Sequence, residues 1–237
     1  MSTKKIVENW RHFLSEGSTN QLSIYFLIGP PSVGKSRWLT EQGPAHGIVN
    51  PYIVSMDDMT DMIGDKHGLD YDDMFEKPIQ PGQEGYEENQ YSEKYGEMID
   101  QPLAWKNWEP KVWSKVAAAQ GESISEHDRI IAEAKSSGRP IVVDMTNMSM
   151  VSRKRIIDAI DAPDHELVAV VFDWNDDIEY LKKTAKKRSK DRYEQTGRKK
   201  TIPPEVFDRM VDTYQPPAEE ERWDTIINVP PWWTQKK

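Results

Sequence analysis

The chain has 237 residues and a mass of 27.5 kDa, with 37% hydrophobic, 10% aromatic and 30% charged residues. That aromatic content excludes a wholly disordered chain, and the length suits one α/β domain with insertions. The absence of cysteine excludes disulfides, thiolate nucleophiles and iron–sulfur ligation. No apolar run nears the roughly 18 residues needed to cross a bilayer, and no apolar block follows Met1-Ser2-Thr3-Lys4-Lys5. A soluble, cytoplasmic protein without membrane contact is therefore expected. The net charge of −9 is unevenly spread. Residues 182–200 hold ten Lys/Arg against Asp191 and Glu194, a local +8, whereas residues 56–100 hold fourteen Asp/Glu against three lysines, a local −11.

In chain order, Ile6, Val7, Trp10, Phe13 and Leu14 recur at helical spacing before Gly17, which predicts a helix over 3–16. Leu22 to Ile28 is a nearly continuous apolar run of strand length, closed by Gly29-Pro30-Pro31. Short apolar runs follow at 52–54, 141–143, 167–172 and 225–229, interleaved with helical patterns around 126–135, 150–160, 177–190 and 205–214. Strands alternating with helices predict an α/β fold, with a five-stranded parallel sheet covered by helices on both faces. Residues 60–110 are poorly periodic and rich in Asp, Glu, Gly and Tyr, as an insertion over about 60–115 would be. With no repeat and no clean linker, residues 1–237 read as a single domain.

The strongest motif is Gly29-Pro30-Pro31-Ser32-Val33-Gly34-Lys35-Ser36, a full G-x-x-x-x-G-K-[ST] placed between a predicted strand and a predicted helix. In that context the loop N–H groups surround a β-phosphate. Lys35 then serves the β- and γ-phosphates, and the Ser36 hydroxyl helps to hold Mg²⁺. ATP with Mg²⁺ is the expected ligand.

Further carboxylates fall where strands end, at the edge where open α/β sheets bind ligands. Asp57, after the second strand, is the candidate general base for an attacking hydroxyl. Asp144, ending the third apolar strand, has the position of a second Mg²⁺-directed carboxylate. Asn147, three residues on, has two open readings, a hydrogen bond to substrate or a turn brace. Arg188 and Arg192 lie one helical turn apart in the basic strip and could carry charge on a transferring phosphoryl group. Trp105, Trp108 and Trp113 cluster within nine residues, either closing the insertion or stacking bases. Trp232 and Trp233 suggest docking on the body or an oligomer contact. Of the five scattered histidines, His46, His67, His127 and His165 show no metal spacing between them.

Four blocks together resemble the P-loop polynucleotide kinases of bacteriophages, in particular their 5′-kinase domain: GPPSVGKSRW, SMDD, VVDMTNMSMVSRKR, and R-x-x-x-R followed by IPPEVFDRM. The resemblance spans about residues 22–215. It implies a P-loop kinase fold with a lid at about 182–202, and transfer of the ATP γ-phosphate to a hydroxyl. It further implies Asp57 as base, Lys35, Ser36 and Arg192 at the ATP phosphates, and Arg153 holding the acceptor end. A polynucleotide 5′-OH ranks first as acceptor, with DNA ahead of RNA. The hydroxymethyl group of 5-hydroxymethyluracil in phage DNA ranks second and a nucleoside or other small molecule third. A nucleotide switch without an acceptor is the rival from another class. The chain lacks the DxDGT motif of a following phosphatase half, and its acidic region is longer than the family leads one to expect. Oligomeric state stays open.

Overall fold

The computed structural model describes residues 22–75, 91–92, 97–98, 110–174, 177–198 and 200–234. The helix expected over 3–16, Trp105 and Trp108 lie outside them, as does the side chain of Trp113. The described chain forms two compact units, one within residues 22–55, 130–182 and 204–234, the other within 56–129 and 183–203.

The first unit is built on five strands: β1 (Ser23–Ile28), β2 (Tyr52–Val54), β5 (Ile141–Val143), β6 (Glu166–Phe172) and β7 (Thr225–Val229). All pair in parallel, in the order β2-β5-β1-β6-β7. Register places Ile24 beside both Ile141 and Leu167, and Phe26 beside Val143 and Ala169. These side chains form one core face with Ile131 and Ala134 of α3 (Pro110–Ser136) and Ile156 and Ile160 of α4 (Met150–Ile160). The alternate residues Tyr25, Leu27, Val142, Val168 and Val170 are buried too. Burial on both faces explains why these strands read as unbroken apolar runs rather than alternating ones. The predicted five-stranded parallel sheet and its flanking helices are present. The short α1 (Lys35–Glu41) follows β1, and α6 (Pro204–Asp212) precedes β7.

Of the insertion expected over about 60–115, residues 76–90, 93–96 and 99–109 lie outside the described residues, and the described flanks in the second unit are helical. The unit's first segment is α2 (Met56–His67), and the helix expected over 126–135 begins sixteen residues earlier, at Pro110 of α3. In α2, Met59 and Ile63 are buried beside Thr60 and Gly64; small and polar residues complete the buried face, so the apolar period is too sparse to read. In α3, proline at the first helical position suits a start, because its missing N–H has no partner to lose there. A turn at Gly68 (φ 67°) leads into a 3₁₀ turn over Asp72–Phe75, with the Leu69 N–H donating to the Gly64 carbonyl at 2.8 Å. Two short antiparallel strands, β3 (Tyr91–Ser92) and β4 (Glu97–Met98), follow. The later part of α5 (Ile178–Thr196) and the segment to residue 203 complete this unit. Among the described residues no helix is long and apolar enough to cross a membrane.

Phe26 is fully buried at the centre of the sheet. Phe26→Ala is expected to destabilise the fold by about 3–5 kcal/mol, read from the urea midpoint of the purified protein.

Candidate nucleotide-binding site and the carboxylates around it

The segment joining β1 to α1 turns through two left-handed residues, Ser32 (φ 66°) and Gly34 (φ 108°). Its start is tied to the neighbouring strand exit, since the Gly29 N–H donates to the Thr146 carbonyl at 3.0 Å. Lys35 folds back along the loop and its Nζ donates to the Gly29 carbonyl at 2.9 Å. Pro30, Val33 and Gly34 are buried, Pro31, Ser32 and Lys35 half-buried, and the Ser36 hydroxyl group is on an exposed residue at the first turn of α1. Gly34, at the N-cap of α1, makes no side-chain cap hydrogen bond. The geometry is that of a phosphate cradle with its lysine positioned along the rim.

Asp144 follows β5 directly, its N–H donating to the Val54 carbonyl of β2 at 3.0 Å. It is half-buried, between the ends of two strands and next to the segment that anchors Gly29. Among the described residues no group of three His, Asp or Glu is arranged to hold a metal. One hydroxyl and one carboxylate suit Mg²⁺ instead, because it keeps waters and takes phosphate oxygens for its remaining ligands.

Two expected substrate residues belong to the framework. Asn147 (φ 50°) is 2% exposed, and its Nδ2 donates to the carbonyls of Leu27 and Val143, each at 3.1 Å. Of its two open readings the structure takes the turn brace, stitching the exits of β1 and β5. Arg153, expected to hold the acceptor, is 0% exposed. Its Nε and Nη2 grip both oxygens of Glu221 at 2.6 and 2.7 Å, and its Nη1 donates to the carbonyls of Asn147 and Gln215 at 2.8 and 2.9 Å. The guanidinium therefore has no open face for an acceptor. It ties α4 to the approach to β7 in a closed, fork-to-carboxylate pair. Burial pushes the Glu221 carboxyl up, but the Arg153 hydrogen bonds and the Ala218 N–H outweigh it and hold the group below the usual carboxylate range.

In the second unit, Asp57 lies exposed in the first turn of α2, where a carboxylate is favoured by the helix dipole. Its Oδ1 accepts from the Tyr71 hydroxyl at 2.7 Å, and its Oδ2 lies 3.5 Å from the Lys200 ammonium. That ammonium also sits 3.3 Å from Asp61 and 4.2 Å from the centre of the Tyr71 ring. Burial, then the charge of Asp57 and its hydrogen bond, push the Tyr71 hydroxyl well above the tyrosine range, so it keeps its proton and donates a hydrogen bond. Arg192 is paired in bidentate fashion with Asp61, at 2.8 and 3.0 Å, while Arg188, one turn earlier on α5, is exposed. Arg198 pairs with Asp65 and donates to the Leu69 carbonyl at 2.6 Å. Three cations of the basic strip thus pair with carboxylates of the acidic segment.

Sequence reasoning passed over Tyr71, Lys200, Asp61 and Glu221, because nothing in their spacing links them to Asp57, Arg192 or Arg153. It also left Trp232 undecided. The Trp232 indole lies flat enough on Gly34 that a Cβ there would meet its Cδ1 at 2.8 Å, and Arg37 stacks over the ring at 5.2 Å. Together with Trp38, Phe172 and Pro230 these residues line a cleft of about 200 Å³ beside the phosphate loop. Trp233 stacks on Tyr180 with ring centres 4.6 Å apart. The Trp pair is therefore docked on its own unit.

A parallel α/β sheet whose first strand delivers such a loop defines a nucleotide-binding P-loop protein. A family model described as an AAA domain matches residues 24–217, more than half of the chain, and the protein belongs to this family of kinase-like P-loop NTPases. Among solved structures, a provisionally assigned kinase from Chloroflexus aurantiacus J-10-fl is similar at a TM-score of 0.50 and 12% identity. That match covers 93% of this chain and 91% of the other, a likeness of fold. No curated protein matches.

Removing one partner of a buried pair leaves the other charge uncompensated. Arg153→Ala is expected to cost about 3–5 kcal/mol of stability, measured by thermal and urea unfolding. Because the folded Glu221 carboxyl is held low, its contribution is present above the ordinary glutamate range and lost as pH falls through the depressed value. Glu221→Gln should therefore flatten the acid side of the stability–pH curve.

Proposed function

We propose that the protein is an ATP-dependent kinase that transfers the γ-phosphate to a hydroxyl of a nucleic acid, a polynucleotide 5′-OH first. The observation that carries this reading is the pairing of two features in one chain. One is a phosphate loop with its lysine laid along it. The other is a hydrogen-bonded carboxylate, Asp57, on the helix directly after β2. A hydrolytic switch needs the first and gives no reason for the second.

In this mechanism the loop N–H groups and Lys35 bind the ATP phosphates, and Asp57 takes the proton of the acceptor hydroxyl. The acceptor oxygen forms the new bond to the γ-phosphorus as the bond to the β-phosphate oxygen breaks, and ADP leaves. Ser36 and Asp144 would hold Mg²⁺, which when bound would supply neutralising charge to the phosphates. Arg192 and Arg188 stabilise the phosphoryl group in transfer once Arg192 exchanges Asp61 for phosphate. The cleft under Trp232, lined by Trp38, Phe172 and Pro230 and also by the polar Arg37, Glu41 and Gln42, suits the base of the nucleotide.

The exposed cations Lys183, Lys186, Lys187 and Arg188 support a polyanionic acceptor, by neutralising phosphates. A small hydroxyl acceptor is the second reading, favoured by the internal pairing of Arg192, Arg198 and Lys200, which removes charge from the strip. Labelled γ-phosphate transfer separates them, with one DNA carrying a free 5′-OH and another carrying blocked ends and internal 5-hydroxymethyluracil. Label at the 5′ end is expected. Label on the internal base, or on neither DNA but on nucleosides, would replace the acceptor.

Asp57→Asn is expected to lower kcat about 10²–10⁴-fold while leaving ATP binding intact, measured by transfer rate and nucleotide affinity. Undiminished transfer would remove Asp57 as the base. Arg192→Ala should lower turnover about 10³-fold if it supports the phosphoryl group.

A further inference from the structure

Asp57 is exposed, with its carboxylate about 60% accessible, and a side chain this free samples several rotamers. A general base must instead present one oxygen along the path of the proton it takes. The question is what holds it, and the answer lies fourteen residues on. After α2 the chain reverses at Gly68, and the backbone closes against the helix because Gly64 has no Cβ: one there would stand 3.1 Å from the Leu69 carbonyl. That reversal brings Tyr71 back over the first turn of α2, where its hydroxyl meets Asp57 Oδ1 at 2.7 Å.

The ring is itself fixed. Lys200 lies against its face at 4.2 Å and reaches Asp61 at 3.3 Å, while the Thr201 N–H donates to Asp72 at 2.7 Å. Asp61 and Asp72 act electrostatically on the Tyr71 hydroxyl beside Asp57, and Lys200 reaches both members of the pair.

We propose that Tyr71 is the positioning residue for Asp57: it pins Oδ1, so that Oδ2, which lies 3.5 Å from the Lys200 ammonium, is the oxygen that takes the acceptor's proton. In the step, the acceptor O–H bond breaks and an Oδ2–H bond forms, while Tyr71 keeps its own proton and only donates a hydrogen bond. Lys200 braces the ring and lies 3.5 Å from Asp57 Oδ2. The inference deepens the kinase reading and rests on Asp57 as the base.

Two measurements test it. Tyr71→Phe keeps the ring that Lys200 covers and removes only the hydroxyl. Its kcat is expected to fall about tenfold with KM for ATP unchanged, the scale of losing one hydrogen bond to a charged group. In an Asp57→Asn background the same change should have no further effect, since the two act through one proton transfer. Equal losses in both backgrounds would overturn the proposal, as would a loss confined to the ATP KM.

The second measurement needs no activity. With ¹³Cζ-labelled tyrosine, the resonance that disappears in Tyr71→Phe should shift in Asp57→Ala at neutral pH. An unmoved resonance in a protein with an unchanged melting temperature overturns the contact. If Asp57→Asn transfers phosphate at full rate, the base reading fails by itself; an impaired Asp57→Asn beside a fully active Tyr71→Phe fails only the positioning role.

Discussion

The constraint on which the first unit depends is that its five strands run parallel. A parallel sheet cannot be closed by hairpins, so each strand hands the chain to a crossover at the same edge, and both faces must be covered by what the crossovers carry. The loop after β1 and Asp144 after β5 therefore emerge side by side, β1 and β5 being hydrogen-bonded neighbours. The exit of β2 lies next to β5. The Gly29-to-Thr146 and Asn147-to-Leu27 hydrogen bonds lock these exits together. Thus the phosphate loop is held by backbone contacts from the adjacent strand as well as by its own glycines.

Buried charge does a different task in each unit. In the first, the Arg153–Glu221 pair is closed on every side and serves the framework. Such a pair adds little net stability over an apolar equivalent, but losing one partner is costly. In the second, Arg192, Lys200 and Asp61 are only partly buried and share partners. Pairs of that kind exchange at modest cost, as the phosphate contact proposed for Arg192 requires. The same residue types thus stand in a fixed role and in an exchangeable one, and burial decides which.

The sheet, the loop and four of the flanking helices were legible because each has a local cause. Apolar runs of strand length mark strands buried on both faces, and the G-x-x-x-x-G-K-S pattern needs only the strand before it and the helix after it. The hidden helix was α2, where Thr60 and Gly64 share the buried face with Met59 and Ile63 and break the apolar period. Arg153 shows the limit of motif transfer: its place in the helix after the TN dipeptide matched the resemblance, but its partner Glu221 lies 68 residues away.

The sequence by itself determined the parallel α/β class, the phosphate loop with Lys35 and Ser36, and the strand-end carboxylates Asp57 and Asp144, because each is written in a contiguous stretch. Only the tertiary structure decided that Asn147 and Arg153 are framework residues, that Trp232 lies on Gly34, and that the basic strip is partly neutralised by α2. Those outcomes depend on which distant segments the folded chain brings within hydrogen-bond range. Spacing along the chain carries no record of a contact made across 131 residues, as between Asp61 and Arg192.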